Sequence, residues 1–290
     1  ALDALGAPHV VKDDGLAAGK GVVVTDNRAE ALEHARECLA KPDGAVVIEE
    51  YLSGPEVSLF CLCDGSTVVP LTPAQDFKRV GDGDAGPNTG GMGAYSPLGW
   101  APDGLVDDVV RRVAQPVIDE MARRGTPFVG VLFIGLALTP RGPRVIVFFA
   151  RSGATETQVV LTRLLTPLGG LLLAAATGRL EEVPPLRWSA EHAVTVVVAA
   201  QSYPATPRTG DPITGLPAGD GAYVLHAGTA LDASGQLVSA GGRVLSVVAT
   251  GDTLASARER AYAAVSGIDL PGSHHRTDIA LLAERGEITI

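Results

Sequence analysis

Residues 75–97 read Q-D-F-K-R-V-G-D-G-D-A-G-P-N-T-G-G-M-G-A-Y-S-P, and what this stretch is decides how the rest of the chain is assembled. It holds six glycines, two prolines, three aspartates and the adjacent cations Lys78 and Arg79, a composition too polar and too glycine-rich for a core element. The expectation is a long loop without regular structure. Such loops are uncommon inside compact domains, where they serve as binding loops, lids or linkers. Clustered opposite charges at Asp76, Lys78 and Arg79, followed by Tyr95, favour binding, since a linker has no use for them.

The surrounding chain of 290 residues is long enough for two or three modest domains with a substantial core. A formal net charge of −10 argues against non-specific nucleic-acid binding, which needs Lys and Arg against phosphates. The longest apolar runs, 129–138 and 193–200, are strand-like and too short to span a bilayer, so no membrane partner is expected. Cys38, Cys61 and Cys63 lack the second pair or His cluster that a zinc site requires, and read as buried thiols of a reducing, cytoplasmic setting. The chain opens at Ala1 rather than Met, as a fragment or processed form would.

Upstream of the glycine-rich stretch, residues 9–25 read as a hairpin with a glycine-containing tip. The spacing is not that of a Walker A loop, and no G-x-G-x-x-G follows a strand, which excludes a simple hydride-transferring Rossmann enzyme. Gly15, Gly19 and Gly21 nonetheless let backbone N–H groups approach an anion, with Lys12 and Lys20 supplying charge; the alternative is a hairpin with two solvated lysines. Asn27 with Glu30 has the form of a capping box, and Ala31, Leu32, Ala35, Cys38 and Leu39 recur at helical spacing. A short strand at 45–48 then ends in Glu49, Glu50, Tyr51 and Leu52. Polar strand ends are common ligand positions, although exposed glutamates are the norm.

Residues 57–63 and 67–71 form an expected hairpin about Asp64-Gly65. Leu105, Val109, Val113, Val117, Ile118 and Met121 fall on one face of a scaffold helix. Strands at 128–138 and 144–149 lead into a helix that begins after Arg151, a position where a guanidinium can meet an anion beside a helix N-terminus. From about Trp188 strands at 194–200, 223–227 and 243–250, with helices at 254–265 and 277–284, read as a separate α+β unit. His226, His274 and His275 are its conspicuous titratable groups and are expected to be structural.

Taken in order, D-G-L-A-A-G-K-G-V, E-E-Y-L-S-G-P-E-V-S, Q-D-F-K-R through P-N-T-G-G-M-G-A-Y-S-P, A-R-x-G-x-x-E-T-Q, R-T-G-D, H-A-G-T and G-G-R-V-L resemble the phosphoribosylamine–glycine ligase (glycinamide ribonucleotide synthetase) family over essentially the whole chain. The resemblance implies an α+β ATP-grasp fold: a small subdomain at 1–54, a large subdomain at 55–187 and a C-terminal α+β domain at 188–290. It implies ATP-dependent joining of glycine to 5-phosphoribosylamine through a glycyl phosphate, in de novo purine biosynthesis. The family's N-terminal domain has no counterpart before Ala1, which implies a truncated form and a contact with the missing domain.

By the same resemblance Lys12, Gly15, Gly19, Lys20 and Gly21 hold ATP phosphates, Glu49, Glu50, Tyr51 and Leu52 line the adenine pocket, and Glu56 contacts the ribose. Asp76 and Lys78, together with Asn88, Thr89, Gly90, Gly91 and Met92, fall on the acceptor side, and Arg151 is the cation for the transition state. One segment departs from the pattern. Family members read E-F-N-A-R-F-G-D-P-E-T-Q, whereas residues 147–158 read V-F-F-A-R-S-G-A-T-E-T-Q. The positions expected to ligate Mg2+ or Mn2+ are thus Val147 and Phe149, with Ala154 at the following acid, and none of these side chains offers the oxygen a hard cation needs. The competing expectation is therefore a nucleotide-binding pseudo-ligase, impaired or inactive for want of its metal.

Overall fold

A computed structural model gives the structure, and it describes residues 1–15, 21–217 and 221–290. The chain divides into two compact units, Ala1–Gly54 and Pro55–Ile290. In the first, helix α1 (Leu2–Leu5) precedes strands β1 (His9–Asp13) and β2 (Val22–Thr25), helix α2 (Arg28–Leu39) and strand β3 (Val46–Glu49). The strands make an antiparallel sheet of order β2-β1-β3. Val11, Ala31, Ala35 and Leu2 form its small core. The expected hairpin is present as β1 and β2, and its tip at 16–20 lies outside the described residues. The Asn27 cap closes through a relay. Asn27 accepts from the Ala29 N–H at 2.9 Å, while Glu30 takes the Thr25 hydroxyl at 2.5 Å and Thr25 in turn accepts the Asn27 N–H at 3.0 Å.

The second unit is built on two antiparallel sheets. Strands β4 (Glu56–Asp64), β5 (Val68–Pro70), β10 (Val129–Thr139) and β11 (Gly142–Phe149) give the order β11-β10-β4-β5. β4 is buried on both faces, and its alternation feeds two cores. Val57, Leu59, Cys61 and Cys63 pack with Leu105, Val109 and Ile118, while Phe60 and Leu62 pack with Leu171, Ala174 and Phe133. Both strand thiols are fully buried, and burial raises their pKa values, that of Cys63 to about 12. They are inert packing groups, as the sequence predicts.

The other sheet joins β6 (Gln75–Asp76), β9 (Gly93–Ser96), β12 (His192–Ala199), β13 (Ala222–His226) and β16 (Arg243–Gly251) in the order β13-β16-β12-β9-β6. Helix α5 (Ala154–Arg163) covers one face, where Gln158 accepts the Thr195 hydroxyl at 2.7 Å, and helix α7 (Leu254–Ser266) packs with Val194, Val196 and Val198 on the other. Two short ribbons, β7 (Arg79–Gly81) with β8 (Ala85–Asn88) and β14 (Thr229–Leu231) with β15 (Leu237–Ser239), complete the strands. Buried Arg163 is held by four neutral oxygens: the carbonyls of Glu191 and Ser189 and the hydroxyls of Thr72 and Ser96. No helix among the described residues is long and apolar enough to cross a membrane.

Three expectations need correction. The glycine-rich stretch is not a loop throughout: β6, β7, β8 and β9 lie within it, and residues 91–96 are buried. Pairing of Gly93 with Val196 and of Ser96 with Ala193 draws the end of the stretch into the sheet that continues as β12. The scaffold helix is interrupted. Helices α3 (Leu105–Val109) and α4 (Gln115–Arg123) are joined by a π-helical turn at Val110–Ala114, because Pro116 has no N–H to give the carbonyl one turn back. Finally, only Leu281–Glu284 (α8) is helical near the C-terminus. Upstream, Ala280 takes φ +63°, a left-handed conformation that a right-handed helix cannot contain, so a helix running from Thr277 is broken there.

The pairing of β9 with β12 yields a direct test. A Cβ at Gly93 would lie 2.6 Å from the Thr195 carbonyl and 2.7 Å from the Ile279 side chain. Gly93→Ala is therefore expected to lower the unfolding free energy by about 1–3 kcal/mol, read from the urea midpoint. An unchanged midpoint would show that the strands are not this closely apposed.

Candidate functional site

The second unit gathers its ionisable groups where β4, β6 and α5 begin or end. Lys78 lies between two carboxylates: its ammonium is ion-paired with Glu56 and stands 3.1 Å from Asp76. Burial works against that charge, but Asp76 and Glu56 outweigh it, so the Lys78 pKa is raised and the ammonium is kept. Gln75 fixes the arrangement from behind. Its amide donates to the Glu56 carbonyl at 3.1 Å and its oxygen accepts the Tyr95 hydroxyl at 2.6 Å, which itself accepts the Trp100 indole N–H at 2.7 Å.

Glu156, which composition and spacing did not single out, belongs to the same cluster. It is 5% exposed, in the first turn of α5, and accepts the hydroxyls of Thr155 at 3.0 Å and Ser58 at 3.3 Å. Burial, then the nearby charge of Asp76, raises its pKa. The signal that could have found it is its place three residues after Gly153, which caps α5.

The excursion from Lys78 returns by Thr89, whose N–H and hydroxyl both donate to the Lys78 carbonyl at 2.8 Å. Asn88 is exposed, Thr89 partly so, and the Gly90 N–H donates to the Tyr203 hydroxyl at 3.0 Å. Gly91 has φ +104°, and a Cβ there would meet the Thr155 hydroxyl at 2.8 Å, so only glycine lets the loop pass the start of α5. Arg243 is bonded to the Gly90 carbonyl and reaches that of Gly91 at 3.3 Å. Met92 is wholly buried, and its carbonyl accepts the Val197 N–H at 2.9 Å. Its side chain supports the loop from within the core.

Arg151 is exposed two residues before the α5 cap; it donates to the Ser152 carbonyl at 2.9 Å, and its guanidinium lies 4.5 Å from the centre of the Phe149 ring. In the first unit Lys12 is ion-paired with Glu49 across adjacent strands. Gly15 donates its N–H to Asp13 at 3.0 Å, and the Gly21 carbonyl accepts from Asp13 at 2.8 Å. Glu50, Tyr51 and Leu52 follow β3, with Tyr51 exposed. Gly19 and Lys20 lie outside the described residues. Of the C-terminal histidines, His226 meets the Thr229 hydroxyl at 3.2 Å, and the His274 backbone bridges to Ala199.

The residues on β11 do not fit a magnesium ion. The Phe149 ring packs 5.3 Å from that of Phe133 and lies beneath the Arg151 guanidinium, and Val147 is packed against the core around Val159. Carbon side chains next to a fixed cation offer a divalent ion neither ligand nor favourable potential. Among the described residues no three His, Cys, Asp or Glu side chains are grouped so as to hold a metal.

Two family models match the chain: the phosphoribosylglycinamide synthetase ATP-grasp (A) domain over residues 1–157 and the C domain of the same synthetase over 193–282. The phosphoribosylamine–glycine ligase of Streptomyces coelicolor is 66% identical over 288 residues, which are 98% of this chain and 68% of that protein. The solved phosphoribosylamine–glycine ligase of Thermotoga maritima matches with a TM-score of 0.84 at 35% identity, over 96% of this chain and 70% of that one. The biotin carboxylase domain of the 2-oxoglutarate carboxylase of Hydrogenobacter thermophilus, at 16% identity and TM-score 0.70, covers 99% of this chain and 64% of its own, and shares the fold.

Glu156 makes the site's electrostatics testable. Its pKa in the fold lies above the ordinary 4.5, so its stabilising contribution is present below that pH and fades as pH rises through the raised value. Glu156→Gln cannot ionise. Its melting temperature is expected to gain on the parent's as pH goes from 5 to 8, by about 2–4 °C for each kcal/mol relieved. Parallel pH profiles would mean that Glu156 titrates normally.

Proposed function

Because the chain belongs to the phosphoribosylglycinamide synthetase family, we propose that it joins the carboxylate of glycine to the amine of 5-phosphoribosylamine at the expense of ATP, the ligase step of de novo purine biosynthesis. The observation that carries the reading is the Glu56–Lys78–Asp76 cluster, which holds an ammonium at the start of a glycine-rich loop. A glycine carboxylate oxygen takes the γ-phosphoryl group of ATP, giving glycyl phosphate and ADP. The amine nitrogen then attacks the acyl carbon, phosphate departs with the C–O electrons, and the amine gives up a proton.

This chain's residues divide that work. In the first unit Lys12, the glycines 15, 19 and 21, and Lys20 serve the phosphates, while residues 49–52 take the base. Glu56 takes the ribose. Lys78 and Arg151 supply positive charge where the phosphoryl oxygens gain negative charge, a contribution that is large in a partly desolvated site. Asp76, tied to Lys78, orients the amine and accepts its hydrogen bond. Asn88, Thr89 and the backbone of Gly90 and Gly91 bind the phosphoribosyl group. Within the second unit Asp76, Lys78 and residues 88–91 are neighbours through β6 and the Thr89 contact, which favours one acceptor site. No step is assigned to a metal ligand on β11.

The test is ADP release that depends on both glycine and phosphoribosylamine. Turnover is expected in the parent, and Lys78→Met should lower kcat about 10²–10³-fold with ATP still bound. ATP binding without glycine-dependent turnover would instead support a non-catalytic nucleotide-binding module.

A further inference from the structure

The ribbon formed by β7 and β8 has a tip, Asp82–Asp84, whose side chains are exposed and apolar-free, so burial cannot hold it in place. What holds it comes from almost two hundred residues away. Arg276 is 1% exposed, and its guanidinium is a fork that makes four hydrogen bonds. Nε and Nη2 donate to the two oxygens of Asp278 at 2.7 and 2.6 Å, and Nη1 donates to Asp84 at 2.6 Å and to the Arg79 carbonyl at 3.2 Å. The same group lies 4.8 Å from the centre of the Phe77 ring. Around it the Gly83 N–H donates to Asp278 at 2.8 Å, and Asp82 accepts both the N–H and the hydroxyl of Thr277.

The segment that carries Arg276 is itself fixed. The Tyr262 hydroxyl of α7 donates to the Arg276 carbonyl at 2.8 Å and accepts the Ile279 N–H at 3.1 Å. Arg258 donates to the carbonyls of Thr277 at 2.6 Å and Ile279 at 2.9 Å. A buried guanidinium with two carboxylates is a weak source of net stability, because its desolvation offsets most of the attraction. Its strength is geometric, since a bidentate fork fixes angle as well as distance. In the ribbon register Arg79 faces Asn88, so whatever fixes Arg79 fixes the residue that opens the return of the loop.

We infer that Arg276 is a positioning residue for the ligation: its guanidinium, shared between Asp84, Asp278 and the Arg79 carbonyl, sets where the 79–88 ribbon presents Asn88 and Thr89 to the amine substrate. The inference rests on the assignment of that loop to the acceptor in the preceding section. It gives the C-terminal segment a part in acceptor binding without contact with the substrate.

The experiment compares steady-state constants for all three substrates in the parent protein, Arg276→Met and Arg276→Lys. Met keeps an unbranched chain in the buried position and removes the fork, and is expected to raise KM for phosphoribosylamine about tenfold or more, with KM for ATP and glycine within about twofold. Lys keeps the charge without the fork and should fall between. A rise in all three KM values, or an unchanged amine KM, would overturn the inference. Should Arg276→Met not fold, exposed Asp82→Ala removes one anchor and should raise the amine KM alone, by about threefold; no change would again overturn it. Asn88→Ala separates two failures. If it raises the amine KM while the Arg276 variants do not, the clamp alone is wrong; if neither does, the acceptor assignment falls and the clamp with it.

Discussion

The second unit depends on a backbone contact that only hydrogen allows: Gly93 against the carbonyl of Thr195, where β9 meets β12. That approach turns the end of a polar stretch into a buried strand and joins it to β12, β13 and β16, which lie about a hundred residues or more further along the chain. It orders Tyr95, and through Tyr95 the side chain of Gln75 and the carbonyl of Glu56. The pair that holds Lys78, and the return of the loop past α5 at Gly91, both follow from where this strand lies. Lys78 is thus placed by packing at some distance from its own charge partners.

What was legible in the sequence was local. The turn at Asp64 is written in one side chain, which accepts the N–H groups of Ser66 at 3.1 Å and Thr67 at 2.8 Å, and the two flanking strands formed as expected. The helix that begins at Arg28 announced itself by its cap and its periodic alanines. Asp76 and Lys78 were conspicuous as charges in a glycine-rich run, and they are brought together. The order of motifs carried the family, which composition and periodicity could not.

What escaped was decided by partners far along the chain. Residues 93–96 lack the bulk of a typical strand, and their pairing partner comes about a hundred positions later. Residues 277–280 have no local signal against a helix, and lose it where Ala280 takes the left-handed φ of +63°. Glu156 and Arg276 are ordinary charges in sequence; only burial makes them consequential. The burial of Met92, whose side chain is wholly internal, was likewise not legible in a glycine-rich motif.

The glycine-rich excursion after Phe77 closes on itself at a neck. The Phe77 N–H donates to the Gly93 carbonyl at 3.0 Å and the Met92 N–H to the Phe77 carbonyl at 2.8 Å, so the excursion between them leaves and re-enters the fold through a single closed gate. Loop-closure entropy rises only slowly with length, by about 0.6 kcal/mol per doubling, once such a gate is fixed. Insertions and deletions between Lys78 and Gly91 that keep Asp84 and the Arg79 carbonyl on Arg276 therefore cost the scaffold little. A lineage can lengthen, shorten or recharge this excursion around that anchor, while the two sheets beneath go on folding as before.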